Sequence, residues 1–304
     1  MRIGVHVSIA GGLLEALGRA KRLSCGTMQI FSRSPRGGPA PKLPAETLKA
    51  FDEQRLAADV APLIVHGPYI INLASLDRVV FGRSLALYQE EYQRCRLLQA
   101  SCLVTHVGSH KGEGEEAGIR RVAEAVNRTL EAAPPAGANA ADQDVLIALE
   151  NTAGSGQGLG YSFEQLAAMR DLADDQRRVG FCLDTAHLFA SGFPIHTPEG
   201  LEQTIAAADR ILGLEHVKVI HLNDSKSAFN SRVDRHWHIG DGQIGLEAIG
   251  RIVTHPRLQH LLFILETPKD SDEDDVRNLG TVRRLCEAGG PSPKGRRMKA
   301  SNHG

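Results

Sequence analysis

The sequence predicts a closed parallel (β/α)8 barrel, and three observations carry that prediction. Eight short apolar, β-branched runs recur along the 304 residues. Each is followed by a longer segment of helical period, which is the alternation of a parallel sheet with crossover helices. Six consecutive runs, the third to the eighth, then meet a residue able to bind a metal. An open doubly wound sheet would give the same alternation, so closure does not follow from alternation alone.

The elements are assigned in order. Ile3–Val7 leads into a helical stretch at Leu13–Leu23, Met28–Phe31 into Ala45–Ala58, and Leu63–Val65 into Arg83–Leu98. Cys102–Thr105 precedes Glu116–Ala132, Val145–Leu149 precedes Phe163–Leu172, and Val179–Leu183 precedes Pro198–Leu212. Val217–Ile220 precedes Leu246–Ile252, and Leu261–Leu265 precedes a last helix at about Glu273–Cys286. The short runs suit strands and the longer segments suit amphipathic helices. The acidic run Ser271–Asp275 reads as an N-cap with first-turn carboxylates that favour the helix dipole, not as a ligand cluster. There is no internal repeat and no linker. Residues 1–288 form one domain, Pro134–Asn139 is a flexible loop, and the basic tail 289–304, with Lys294, Arg296, Arg297 and Lys299, is disordered.

Composition excludes several classes. Lys and Arg number 35 against 36 Asp and Glu, so the net charge of −1 gives no global field for nucleic acid. Aromatics at 5% disfavour a base-stacking platform. No apolar run approaches the roughly 18 residues of a membrane span, and Met1 runs into Arg2–Val7 with no secretory h-region. The five cysteines share no CxxC spacing and read as reduced thiols of a cytoplasmic, membrane-free protein. Thirteen His stand beside a single Trp.

His66, His106, Glu150, Asp184, His221 and Glu266 directly follow the third to eighth runs. In a parallel barrel these side chains converge on the C-terminal rim, where barrel enzymes place their sites. One histidine after a strand is best read as a hydrogen-bonded structural imidazole; six ligand types in succession are not. His187 lies one helical turn beyond Asp184. Asp234 and His236 form an Asp-x-His pair on one face of an extended segment, which in isolation would be a salt-bridge partner for Arg232 or Arg235. Five imidazoles and four carboxylates exceed the needs of one ion. With one bridging carboxylate they suit three ions, of which Zn2+ is favoured and Mn2+ or Fe2+ are substitutes. Adding +6 to −1 would give +5, nearly all of it at the barrel mouth, which points to a polyanionic substrate and phosphoester hydrolysis. His6 reads as a supporting or structural residue; His110 and His238 carry no assigned role. Gly154–Gly160 lacks the spacing of a dinucleotide loop and reads as a flexible rim loop.

These motifs resemble the endonuclease IV family of apurinic/apyrimidinic endonucleases. The resemblance runs from His6–Gly12 through His66–Leu73, Glu150–Gly154, Asp184–His187 and His221–Lys226 to Leu265–Pro268. Arg232–His236 followed by Ile239–Gly245 is its most specific part. It implies a trinuclear zinc centre. His66, His106 and Glu150 would hold the first ion; Glu150, Asp184, His221 and Glu266 the second; His187, Asp234 and His236 the third. It implies hydrolysis of the phosphodiester 5′ to an abasic site by a bridging hydroxide, leaving a 3′-hydroxyl and a 5′-deoxyribose phosphate, with Glu150 and Glu266 as catalytic residues. Removal of blocked 3′ ends, a double-stranded DNA partner and a monomeric state are implied too. Arg36, Tyr69 and Ile70 are the implied DNA contacts. The loop that usually carries Asn-Pro-Arg and a Trp reads Ser34-Pro35-Arg36-Gly37-Gly38 here, which makes it more mobile; Val107 and Ala186 also depart from the family. A metal-dependent sugar isomerase or epimerase is the competing reading, distinguished by the third cluster, and a damage-binding protein without turnover is a further one.

Overall fold

Branched apolar residues that alternate between two buried faces can satisfy their backbone only by pairing on both sides, and a closed barrel provides that without edges. The structure, a computed structural model, describes residues 1–133, 144–271 and 273–289. In chain order the elements are β1 (Arg2–Val7), α1 (Leu13–Arg22), β2 (Met28–Phe31), α2 (Ala45–Ala57), β3 (Leu63–His66), α3 (Arg78–Leu97), β4 (Cys102–His106), α4 (Glu115–Glu131), β5 (Leu146–Glu150) and α5 (Phe163–Asp171). There follow β6 (Val179–Asp184), α6 (Thr185–Ser191), α7 (Pro198–Leu212), β7 (Val217–His221), β8 (Asp224–Ser225), β9 (His236–Trp237), α8 (Leu246–Thr254), β10 (Leu262–Leu265) and α9 (Asp274–Gly289). Eight parallel strands close in the order β1-β10-β7-β6-β5-β4-β3-β2, and β8 and β9 form a separate antiparallel pair.

The interior is a small apolar plug of Ile64, Cys102, Val104, Ala148, Cys182, Val219 and Ile264. Their sequence neighbours, such as Val65, Leu103 and Leu149, face outward into the layer under the helices, as the two-residue strand period dictates. Register then places the strand ends level: His66 pairs with Phe31 and Val104, His106 with Glu150, and Asp184 with His221.

Several boundaries differ from the sequence reading for identifiable reasons. Five of the six strand-end candidates close their strands and only Glu266 lies beyond one. Helix α3 starts five residues early because Asp77 caps Val79 N–H and Val80 N–H at 2.8 and 2.9 Å, while exposed Val79 and Val80 obscure the helical period. Helix α6 has no counterpart in the sequence reading: nearly all of it is buried, so it has no polar face to reveal it. The Ser271–Asp275 run puts Asp274 and Asp275 in the first turn of α9, where Asp274 Oδ2 accepts from Ser271 N–H at 2.7 Å; Asp272 lies outside the described residues. So do the Pro134–Asn139 loop and the tail from residue 290, whereas Gly289 still belongs to α9. The five cysteines are free and four are buried. Among the described residues no helix is long and apolar enough to cross a membrane.

One buried carboxylate organises the segment after β7. Asp224 is inaccessible and accepts from the backbone N–H groups of Ser225, Gly240, Gly242, Ile244 and Gly245 at 2.8–3.4 Å. A Cβ on Gly242 would lie 2.4 Å from Asp224 Oδ1, so only glycine permits the approach. This clamp holds 240–245 against the base of the β8–β9 arm that carries Asp234 and His236. Replacing Asp224 with Ala strands several buried donors, and we expect a loss of about 3 kcal/mol in unfolding free energy. Denaturant titration measures it; a change below about 1 kcal/mol would show that the clamp adds little.

Candidate metal centre

All nine sequence-predicted ligands meet on the C-terminal rim. Glu150, fully buried, lies at the middle. Its Oε2 is 2.9 Å from His106 Nε2 and 3.2 Å from His66 Nε2; its Oε1 is 2.9 Å from His221 Nδ1 and 3.5 Å from His187 Nδ1. His221 Nδ1 also faces Glu266 Oε2 at 3.2 Å and Asp184 Oδ2 at 3.9 Å. Asp234 reaches His187 Nε2 at 3.2 Å and His236 Nε2 at 3.4 Å, and His236 Nε2 is 3.6 Å from Asp184 Oδ2. The donor atoms fall into three overlapping groups of a size that could hold cations: His66, His106 and Glu150; Glu150, Asp184, His221 and Glu266; and Asp184, His187 and His236, with Asp234 alongside.

The outward contacts of the rings fix what they offer inward. His66 Nδ1 faces Gly67 O at 2.7 Å, His187 Nδ1 faces Asn151 O at 2.9 Å, and His236 Nδ1 faces Glu266 O at 3.2 Å. A carbonyl oxygen only accepts, so each of these nitrogens carries hydrogen and the other nitrogen of a neutral ring turns a lone pair toward carboxylate oxygens. Lone pairs and carboxylates repel unless a proton or a cation lies between them. His236 Nε2 is buried and lacks a hydrogen-bond partner. The same demand for positive charge appears in the acidities. Burial would lower the His187 pKa, but Asp184, Asp234 and Glu150 hold it well above the ordinary histidine value. Burial would raise that of Glu150, yet His106 and His221 hold it well below the carboxylate range. A donor set of this kind fits divalent metal, with second contacts that orient the ligands.

Sequence reasoning missed part of that support. Asn223 Nδ2 donates to Asp184 Oδ2 at 2.6 Å while its Oδ1 accepts from Glu266 N–H at 2.8 Å. Asn151 Oδ1 accepts from Asp184 N–H at 2.6 Å, and Gln29 touches both His221 and Glu266. A polar amide inside an apolar run, as in Met28-Gln29-Ile30-Phe31, is the one signal the sequence offers for it. Cys182 also lies within reach of Glu150 and His221; burial pushes its thiol up, so it stays protonated beneath the centre. His6 Nδ1 lies 3.1 Å from Glu266 Oε1 and, as an acceptor, 2.9 Å from Gln29 Nε2, which holds the ring beside the centre. His238 pairs instead with Asn278, and His110 accepts from Gly112 and Gly114 N–H. The Gly154–Gly160 loop is tied to its neighbours by Ser155 Oγ donating to Arg232 O at 2.6 Å and by a Ser109–Gly158 bridge.

The centre opens into a cavity of about 360 Å3 lined by Tyr69, His106, His187, Asp234, His236 and Glu266. Tyr69 and Ile70 are 58% and 52% exposed at its lip, with the Tyr69 ring edge-on to Phe31 and His66 at 5.3 and 5.6 Å. Arg36 is exposed. Its loop is fastened to theirs: Tyr69 N–H donates to Pro35 O at 3.1 Å, and a Cβ on Gly37 would come within 2.8 Å of Ile70 Cδ1. Beneath it, Ser32 and Arg33 are held by buried Glu91, and Arg94 donates to Ser32 O at 2.7 Å. These ties anchor the loop on both sides of its two glycines. On the β8–β9 arm, the Lys226 ammonium sits 3.8 Å above the ring of Trp237, next to His236.

Comparison with known proteins agrees with this geometry. A family model described as a xylose isomerase-like TIM barrel matches residues 17–285. The "Probable endonuclease 4" of Chloroflexus aggregans is 42% identical over 285 residues, covering 93% of this chain and 97% of that protein. The same-named protein of Geobacter sulfurreducens is 43% identical over 288 residues, 93% of this chain and 94% of its own. Among solved structures, endonuclease IV from Thermus thermophilus superposes with a TM-score of 0.82 at 34% identity, covering 95% of this chain and all of that one. A D-tagatose 3-epimerase-like protein superposes at 0.70 with 18% identity, which shows only that the barrel is shared. Identity of 42–43% over 93% of the chain, with a matching fold, places this chain in the endonuclease IV family of apurinic/apyrimidinic endonucleases.

Proposed function

We propose that the protein hydrolyses the phosphodiester on the 5′ side of abasic sites in double-stranded DNA, leaving a 3′-hydroxyl and a 5′-deoxyribose phosphate, and clears blocked 3′ ends. It does so as a cytoplasmic monomer. The convergence of five imidazoles and four carboxylates at one open rim carries the reading. His66, His106 and Glu150 would hold one Zn2+, Glu150, Asp184, His221 and Glu266 a second, and His187, Asp234 and His236 a third; Mn2+ or Fe2+ would serve as substitutes. Bound there, such ions supply a hydroxide at neutral pH, where free water with a pKa of about 15.7 supplies almost none, and neutralise charge on the leaving oxygen. Glu150 from the buried side and Glu266 from the cavity wall act as the catalytic carboxylates by fixing the centre. Asp234 and His236 would hold the third ion from an arm of the chain rather than from a barrel strand. Tyr69 and Ile70, standing exposed beside the cavity, fill the gap that a missing base leaves in the stack, and Arg36 flanks them. The alternative, a sugar isomerase or epimerase, has no need for the Asp234–His236 arm.

A duplex carrying one abasic analogue tests the reading. Incision on its 5′ side that chelator abolishes supports it, as does metal content near three ions per chain; content near one ion and no incision would favour the isomerase. Glu266→Gln should slow single-turnover cleavage by more than about 100-fold while the fold persists, since a carboxamide is a poor anionic ligand; wild-type turnover with unchanged metal content would remove Glu266 from the centre. Asp234→Ala or His236→Ala should slow the chemical step more than it weakens DNA binding, because a charge-stabilising contact strengthens in the transition state. Weakened binding with an unchanged chemical step would make them a structural pair.

Tyr69 is already placed by the rings beneath it, whereas the Arg36 side chain must be ordered on binding at an entropic cost. Tyr69→Ala should therefore reduce discrimination between abasic and intact duplex more than Arg36→Ala does. Equilibrium binding of both variants at one salt concentration decides this, and the reverse order would show that Arg36 carries the recognition.

A further inference from the structure

Gln29 occupies an unusual position in the barrel. It pairs with Ile64 of β3 and His6 of β1, its neighbours Met28 and Ile30 join the outer apolar layer, and it is fully buried. Ile64 at the same level belongs to the apolar plug. An amide here costs free energy unless its polar atoms are all engaged. They are. Nε2 donates to Glu266 Oε1 at 2.6 Å and faces His6 Nδ1 at 2.9 Å, and Oε1 lies 2.9 Å from His221 Nε2.

These contacts determine more than packing. A carboxylate oxygen only accepts, so the side of the amide facing Glu266 must be its NH2 group. Its oxygen then faces His221 Nε2, which must carry the hydrogen, and the lone pair of the neutral ring lies on Nδ1. That atom is the one turned toward Glu150 and Glu266. With Glu266 Oε1 engaged by Gln29, the other oxygen, Oε2, faces His221 Nδ1 at 3.2 Å. We infer that Gln29 is a positioning residue for the metal centre: one amide fixes the tautomer of His221 and the rotation of Glu266, so that Nδ1 and Oε2 are presented together to one cation. The inference rests on the reading of these residues as metal ligands.

The test uses the full chain and Zn2+ alone. Stepwise affinities come from competition with a chromophoric chelator, for the wild type and for Gln29→Met, which keeps the volume and removes the hydrogen bonds. The variant should bind two ions as the wild type does and the remaining one about 10–100-fold more weakly, while the thermal midpoint of the metal-stripped protein does not fall. Unchanged affinities with a lowered midpoint would reduce Gln29 to packing and overturn the inference, leaving the assignment of the ligands intact. A wild type that binds no metal would overturn both. A second measurement needs no variant: in 113Cd-loaded, 15N-histidine-labelled wild type, one histidine should couple to cadmium through Nδ1 while His66, His187 and His236 couple through Nε2. Coupling of His221 through Nε2 would overturn the inference.

Discussion

Ionised oxygen held out of water is the constraint on which this structure turns. Glu150 is completely buried and remains a carboxylate only because imidazoles crowd both of its oxygens. Charges in such a place are costly unless they are paired and their remaining valences filled. The fold meets that demand with neutral groups that can point only one way: the carbonyls of Gly67, Asn151 and Glu266, and the amides of Asn151, Asn223 and Gln29. None of them carries charge. They decide which atoms of His66, His187, His221, His236, Asp184 and Glu266 face inward, and so leave the centre rich in lone pairs and short of positive charge.

The nine donors reach that centre by two routes of different rigidity. Six come from the ends of successive barrel strands, five within β3 to β7 and Glu266 just beyond β10, where the register of a closed sheet sets their height, and His187 follows on the helix capped by Asp184 itself. Asp234 and His236 come from an arm of which only two short strands are regular. The arm is held by Asp224 from one side and by Ser155 from the other. A carboxylate clamping backbone donors does for this loop what a strand ladder does for the rest of the rim.

What could be read from sequence follows the same division. The strand-end ligands are legible because each meets an apolar run whose two-residue period announces a strand, and parallel pairing brings their ends together. His187 is legible by helical spacing, although α6 itself is not, since a buried short helix has no amphipathic signature. Asp234 and His236 stand out only as a spaced pair; the clamp that places them depends on Gly242, whose role is invisible until Asp224 is seen 2.4 Å from where its Cβ would be. Gln29 escapes notice because in sequence it merely interrupts an apolar run. Its meaning lies in partners 192 and 237 residues away, and such separations leave no local trace.

The pairing of Lys226 with Trp237 has an optical consequence. Trp237 is the single tryptophan of the chain, and it sits on the arm, one residue from His236, under a cation. Its emission is therefore governed by the arm, whereas far-ultraviolet ellipticity is governed by the helices and strands of the barrel. Two-state unfolding requires the two signals to coincide. Any interval between their transitions measures directly how far the local stability of the arm falls below that of the barrel that supports it.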